Sequence, residues 1–369
     1  MSMKAAIYYG PHDIRIEEIK RPKANPEGVV VKIKACGVCN IMDSLFWEAW
    51  QPGRTGVGLA RGHEWSGEII DVGSEVTGFK LGDQIYQNPV YRPCNECESC
   101  RVKDYWRCIN WQQGITDLAI NGAFAEYLWI PFVTNESAVK IPESMNYHDL
   151  ALMEPLYLAV GIAKKAKPSD TVVVLGQDFV GLATTVLLKE RGTAKIITTD
   201  ISQKRLEASR EIGPNLVIDA LSEDVVQAVM KETMGQGADV VIVTDPAPVT
   251  LLHAIGSVRR GGVVWQATMY GVPVVLNPSV APSQRQWVGP GGAYNEPAIT
   301  FDRNLLSMQT AWGSLGPRLP RWLEAVELIK SGKITAEKYV THVFPLNEIE
   351  EAFKVANNRH ESIKVIVEP

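Results

Sequence analysis

Residues Thr171 to Gly192 read TVVVLGQDFVGLATTVLLKERG, and the fold turns on how this stretch is read. An apolar run ends at Gly176, a second glycine follows at 181, and an apolar helical pattern begins. Strand, tight turn and helix start make the phosphate-binding turn of a doubly wound α/β domain. The middle glycine of the G-x-G-x-x-G pattern is missing, and Asp178 stands in its place. Taken alone, such a broken fingerprint is weak. Its surroundings strengthen it, because the same rhythm continues through KIITTD, SQKRLEASREIG, NLVIDA, SEDVVQAVMKETMG, ADVVIVTD, VTLLHAIGSVRRG and GVVWQATMYG. Strands spaced by helices of about three turns predict βαβ units and a parallel sheet, with LLSMQTAWG as a last strand.

Upstream the texture differs. Short alternating runs broken by Gly and Pro, such as GVVVKIKACG, EWSGEIIDVGSEV and AFAEYLWIP, predict an antiparallel, partly barrelled β domain. The expected division is 1–155 with a return at 316–369 for the first domain, and 156–315 for the second. The return carries the amphipathic helices RLPRWLEAVELIKSGK and EIEEAFKVANNR and the closing strand SIKVIVEP. Between 271 and 301 the Pro- and Gly-rich chain loses all periodicity, which suits a functional loop, an interface arm or disorder.

Composition narrows the function. The 369 residues are 46% hydrophobic and 21% charged with a formal charge of −5, which offers no basic footprint for nucleic acid or anionic membrane. No apolar run is long enough to span a bilayer, and the charged N-terminus lacks a signal-peptide core. A cytoplasmic protein is expected. All six cysteines lie between Cys36 and Cys108. Cys94, Cys97, Cys100 and Cys108 have the spacing C-x2-C-x2-C-x7-C, which lets four thiolates close a tetrahedron around a structural zinc. An iron–sulfur cluster is the rival reading.

A second set is looser. His63 and Glu64 in ARGHEWSG, Cys39 upstream and Glu154 in MEPLYLAVG offer a thiolate, an imidazole and two carboxylates. Such a mixture suits an open, catalytic zinc site. With these motifs the sequence resembles the medium-chain, zinc-dependent alcohol dehydrogenases. They share G-H-E-x2-G followed by a glycine (here Gly62 to Gly67, then Gly73) and the four-cysteine lobe. The Glu beside the ligand His and the EPL run look like the polyol, sugar and threonine dehydrogenase branch. The resemblance implies a GroES-like catalytic domain with a Rossmann domain, two zinc ions per chain, and NAD(H). It makes Cys39 and His63 ligands, with Glu64 and Glu154 as the third ligand or its exchange partner. Zinc in such a site acidifies an alcohol, which then passes a hydride to nicotinamide. Relatives are usually dimers or tetramers.

The chain departs from that pattern in two places. After the ligand Cys the family reads Cys-x-Ser/Thr-Asp, a proton-relay hydroxyl and a carboxylate orienting the ligand His. Here the hydroxyl position is Ile41 and the acid, Asp43, comes one residue late. Either a one-residue bulge restores Asp43, with Ser44 or a water carrying the proton, or the relay is absent. In the nucleotide domain the expected cofactor contacts are Gly176, Asp178, Phe179, Val180, Gly181, Asp200, Arg205, Thr244 and Asp245. Asp200, ending KIITTD, favours NAD over NADP by repelling a 2′-phosphate. Asp178 reads equally as a helix cap or as a carboxylate that opposes the pyrophosphate, and Asp245 adds a second acid near the nicotinamide. Trp47, Trp50, Trp111, Trp265 and Trp312 flank the cleft in relatives and suit packing or a pocket for a bulky, cyclic or sugar-like substrate.

The leading expectation is an enzyme that interconverts a small secondary alcohol (polyol, sugar or cyclic alcohol) and a ketone with NAD(H). One rival is a reductase of an activated double bond. Another is a binding protein on a decayed cofactor site.

Overall fold

The rhythm that starts at Thr171 folds into a seven-stranded sheet. In sheet order its strands are Leu216–Asp219, Lys195–Asp200, Thr171–Leu175, Ala238–Val243, Val258–Gln266, Leu306–Thr310 and Ile299–Phe301. All neighbours are parallel except the last pair, where Ile299–Phe301 runs antiparallel along Leu306–Thr310. The computed structural model describes residues 1–48, 58–87, 92–105, 108–109, 122–142, 144–268, 299–301, 306–310 and 318–369. Trp50, Trp111, Trp312 and nearly all of the 271–301 stretch lie outside these described residues.

Val173, Leu175, Ile197, Val241 and Val264 form the sheet's share of one buried core, and Val225, Val229, Leu251 and Ala254 cover it from the helices. Central strands buried on both faces need unbroken apolar runs, which is why TVVVL and DVVIV do not alternate. The helices start where the chain supplies a cap. Asp178, Ser202 and Asp224 each accept a hydrogen bond from a first-turn amide of Phe179–Glu190, Gln203–Ile212 and Val225–Glu232. One boundary differs from the sequence reading. VTLLHAIGSVRRG is helical only as far as Ser257, and Val258 to Gly262 join the strand Val258–Gln266. The pairing of Val258 with Ala238 outweighs the helical periodicity.

The other unit is built around Val29–Val38. This strand pairs antiparallel with Glu64–Val72, Tyr127–Ile130 and Lys364–Glu368, and the last of these runs parallel to Val340–Pro345. A second sheet orders Asp13–Lys20, Ser2–Gly10 and Leu59–Ala60, and Ile85–Tyr86 pairs with Val139–Lys140. Register shifts in Val29–Val38 between Val30 and Val31 and between Ile33 and Ala35 bend it, as a closing barrel requires. Trp47 is fully packed in this unit, against His12 and Phe353. Trp265 is buried in the other unit, with the Lys165 ammonium over its ring.

By contact the chain separates into Met1–Tyr157 with Pro317–Asn357 and Lys364–Pro369, and Leu158–Gly316 with Asn358–Ile363. The short segment 358–363 thus clusters with the doubly wound sheet.

Candidate functional site

Strand register brings the mixed-ligand set together. Gly37 pairs with Glu64 across the Val29–Val38 and Glu64–Val72 strands, so Cys39, two residues on, arrives beside His63 and Glu64. The Cys39 sulfur, a His63 ring nitrogen and a Glu64 carboxylate oxygen all lie within 4.8 Å of one another. Cys39 and Glu64 are buried and His63 is partly exposed. Three donors of this kind around one point can hold a divalent ion with a free position. Glu154 falls outside this close set. It is buried on the first turn of Met153–Ala163, near enough for its charge to act on His63.

After Cys39 the chain turns at Asn40–Ile41, and the helix Met42–Glu48 follows directly. That turn returns two groups to Cys39. The Met42 amide points at its sulfur at 3.2 Å, and the Asp43 carboxylate accepts the Cys39 amide at 2.9 Å. Ser44 lies one turn on, its amide donating to the Cys39 carbonyl at 3.3 Å. Asp43 is itself buried.

The charges form one coupled system. Burial lowers the His63 imidazole, but the Cys39 sulfur and the Asp43 and Glu154 carboxylates outweigh it and raise His63 well above its ordinary value. Burial pushes the Cys39 thiol up, partly offset by His63, and burial likewise raises Asp43. A buried pocket that gathers acidic groups in this way is suited to a cation.

Glu64 also has a fixed partner. The Lys364 ammonium contacts its carboxylate and donates to the Val38 carbonyl at 2.8 Å, with both side chains at most 2% exposed. Gly37 makes the pairing possible, since a Cβ there would meet the Glu64 carboxylate at 2.3 Å and the Lys364 stem at 2.9 Å.

The four-cysteine lobe is just as compact. The sulfurs of Cys94, Cys97, Cys100 and Cys108 lie within 4.8 Å of one another, and no cysteine of the chain forms a disulfide. Asn95 and Lys103 take positive φ of 60° and 59°, which folds the loop tightly enough to gather the sulfurs. Backbone amides of Glu96 and Cys97 pull the Cys94 thiol down to about 6, while burial pushes Cys100 up to about 12. Amides aimed at sulfur are what a thiolate needs. Four sulfurs leave no open position, the arrangement of a structural metal.

In the doubly wound unit, the sheet order reverses between Thr171–Leu175 and Ala238–Val243, and the turn lies at the carboxyl ends of these strands. That is where open α/β sheets bind ligands. Gly176 has φ +101°, and a Cβ there would meet the Thr244 hydroxyl at 2.6 Å and Asp245 at 2.8 Å. At Gly181 a Cβ would meet the Gly176 carbonyl at 2.0 Å, so the Phe179–Glu190 helix can press onto the turn. Asp178 caps that helix, its carboxylate accepting the Gly181 amide at 3.0 Å. The Asp200 carboxylate accepts the amides of Gln177 at 2.6 Å, Ile201 at 2.8 Å and Ser202 at 2.9 Å. Arg205 is buried, donating to the Ser362 carbonyl at 2.8 Å with Asp200 at 3.8 Å. Thr244 donates to the Gly176 carbonyl at 2.9 Å. Phe179 and Val180 form the buried start of the helix.

Comparison with known proteins gives the same picture. The alcohol dehydrogenase GroES-like domain family matches residues 25–143, and the zinc-binding dehydrogenase family matches 180–289. D-xylulose reductase A of Aspergillus niger is 30% identical, with 94% of this chain and 91% of that protein covered. The chain belongs to the medium-chain alcohol dehydrogenase family, in its polyol and sugar dehydrogenase branch. It is thus an oxidoreductase of that family. Sorbitol dehydrogenase of Bacillus subtilis is 29% identical over all of this chain and 98% of its own. The crystal structure of 2R,3R-butanediol dehydrogenase from Bacillus subtilis superposes with a TM-score of 0.73 at 25% identity, with 100% of both chains covered.

Two side chains of this dehydrogenase carry no motif. Lys364 lies in the closing strand SIKVIVEP, where a lysine inside an apolar run is itself the signal of a buried counter-ion. Arg359, in NNRHES, has no such signal. Its Nη1 donates to both oxygens of Asp245, at 2.9 and 3.2 Å.

Proposed function

We propose that this dehydrogenase oxidises a polyol or related small secondary alcohol to a ketone, or catalyses the reverse reaction, with NAD(H) and one catalytic and one structural zinc per chain. The observation that carries the reading is the buried cluster of Cys39, His63 and Glu64 with the Asp43 and Glu154 charges around it. The donors suit the ion: a borderline-soft cation is matched by one sulfur, one imidazole and one carboxylate oxygen. Cys39, His63 and Glu64 would hold the zinc, which would supply Lewis acidity to the alcohol oxygen, and bound NAD+ would supply the hydride acceptor, so that alcohol and NAD+ give ketone, NADH and a proton.

The chain's own residues do the rest. Asp43 anchors the backbone of Cys39 and so fixes where its sulfur points. Glu64, paired with Lys364, and Glu154, on the helix Met153–Ala163, are the two carboxylates that would serve as third ligand or its exchange partner. Ile41 supplies no hydroxyl, so Ser44, one turn on from Cys39, is the proposed first carrier of the proton, directly or through water.

For the cofactor, the Gly176 turn supplies a cradle that any Cβ would fill. Asp200 supports NAD over NADP, since a carboxylate held at the end of the second strand by three amides would repel a 2′-phosphate. Relatives named for sorbitol, D-xylulose and butanediol support the substrate class. A panel of polyols, simple secondary alcohols and enones, followed by NADH absorbance, tests this. Turnover of polyols with NAD+ is expected. Activity confined to enones would instead establish a double-bond reductase.

A further inference from the structure

The ligand crevice of the doubly wound unit has an acid where an anionic cofactor must lie. Asp245 follows the strand Ala238–Val243 on one side of the point where sheet order reverses, and Gly176 follows Thr171–Leu175 on the other. The two touch, because a Cβ on Gly176 would fall 2.8 Å from the Asp245 Cβ and the same distance from its amide. Asp245 cannot swing clear. Its Oδ1 accepts the Ala247 amide at 2.7 Å, its carbonyl accepts the Thr250 hydroxyl at 3.0 Å, and its side chain is only 11% exposed. An uncompensated carboxylate in so enclosed a place would repel an anionic dinucleotide.

Compensation comes from Arg359, more than a hundred residues away in sequence but in the same unit. Both of its hydrogen bonds to Asp245 leave from Nη1, which leaves Nε and Nη2 uncommitted among the described residues. Its side chain remains 34% exposed. The other arginine of this crevice, Arg205, is buried and spent on Ser362 and Asp200.

We propose that Arg359 is an affinity-determining residue of the cofactor seat: it cancels the Asp245 charge at the crevice and so admits the anionic dinucleotide. The inference rests on the NAD(H) reading above and adds to it a residue that no motif marks. It also explains how the turn tolerates Asp245, since the pair carries no net charge.

NADH fluorescence titration of the zinc-loaded enzyme and its variants, at low and high salt, tests this. Arg359→Ala should weaken NADH about tenfold at low salt, the order expected for losing one charged partner. Arg359→Lys should keep most of the affinity. Asp245→Asn combined with Arg359→Ala should return the affinity close to that of the unaltered enzyme, because the charge to be cancelled is gone. The Arg359→Ala defect should also shrink at high salt. A merely structural role would lower the melting temperature without rescue by Asp245→Asn and without salt dependence, and that result overturns the proposal. Unchanged affinity in Arg359→Ala, with an unaltered enzyme that binds NADH, overturns it while leaving the proposed function standing. No NADH binding by the unaltered enzyme refutes both.

Discussion

Glu64 stands between two demands at the scale of single residues. On one side is the buried Lys364 ammonium, on the other the Cys39–His63 cluster. Burying both charges is costly unless they stay together, so removing one partner is worse than removing both. Lys364→Met is therefore expected to destabilise the protein by about 3–5 kcal/mol in denaturant unfolding. Adding Glu64→Gln should recover much of that loss. Equal losses in the single and double variants would mean that the pair contributes nothing by its charge. The ligand-type residues of the cluster were legible in the sequence through the family resemblance, since a His-Glu pair alone is weak and gains force only beside Cys39 and Glu154. Their partners were not. Lys364 meets Glu64 across 300 residues and Arg359 meets Asp245 across 114; the lysine in its apolar run signals that a counter-ion exists but not which one, and Arg359 carries no signal at all.

At the scale of elements, Asp178 is the clearest case. Two readings of this acid were open in the sequence, a helix cap and an obstacle to pyrophosphate, and the structure places its carboxylate on the Gly181 amide. A cap of this kind is worth about 1 kcal/mol when replaced by Ala and a few tenths when replaced by Gly. Thermal or denaturant unfolding of Asp178→Ala and Asp178→Gly should show that order. NADH affinity that rises sharply in Asp178→Gly would instead mark the carboxylate as an obstacle. Strands were legible wherever burial on both faces forces an apolar run, as at TVVVL. The end of the helix Pro248–Ser257 was not, since the apolar spacing of VTLLHAIGSV continues past the point where sheet pairing takes over at Val258. The turn at Asn40–Ile41 was equally hidden. An inserted residue can be absorbed by a bulge, a turn or a longer helix, and only the surrounding packing selects among them.

At the scale of the molecule, the two candidate metal sites should behave differently. On the function proposed above, the closed Cys94–Cys108 lobe would hold its loop and do no chemistry, and the Cys39 cluster would carry the reaction. Elemental analysis should find about two zinc ions per chain, falling to about one in Cys39→Ala and also to about one in Cys97→Ala, as expected for one closed and one open site. Cys39→Ala should keep its fold and lose turnover, and Cys97→Ala should lose stability first, with activity falling only as the protein unfolds. The central claim, that zinc at the Cys39 cluster drives NAD-linked oxidation of a polyol, is tested most directly by one measurement. NADH formation from a polyol is followed in the native enzyme, after chelation shown by elemental analysis to have emptied the Cys39 cluster, and after zinc is returned. Turnover should disappear with that zinc and come back with it, and should be absent at every stage in Cys39→Ala. Undiminished turnover in chelated enzyme, or in Cys39→Ala, would contradict that claim.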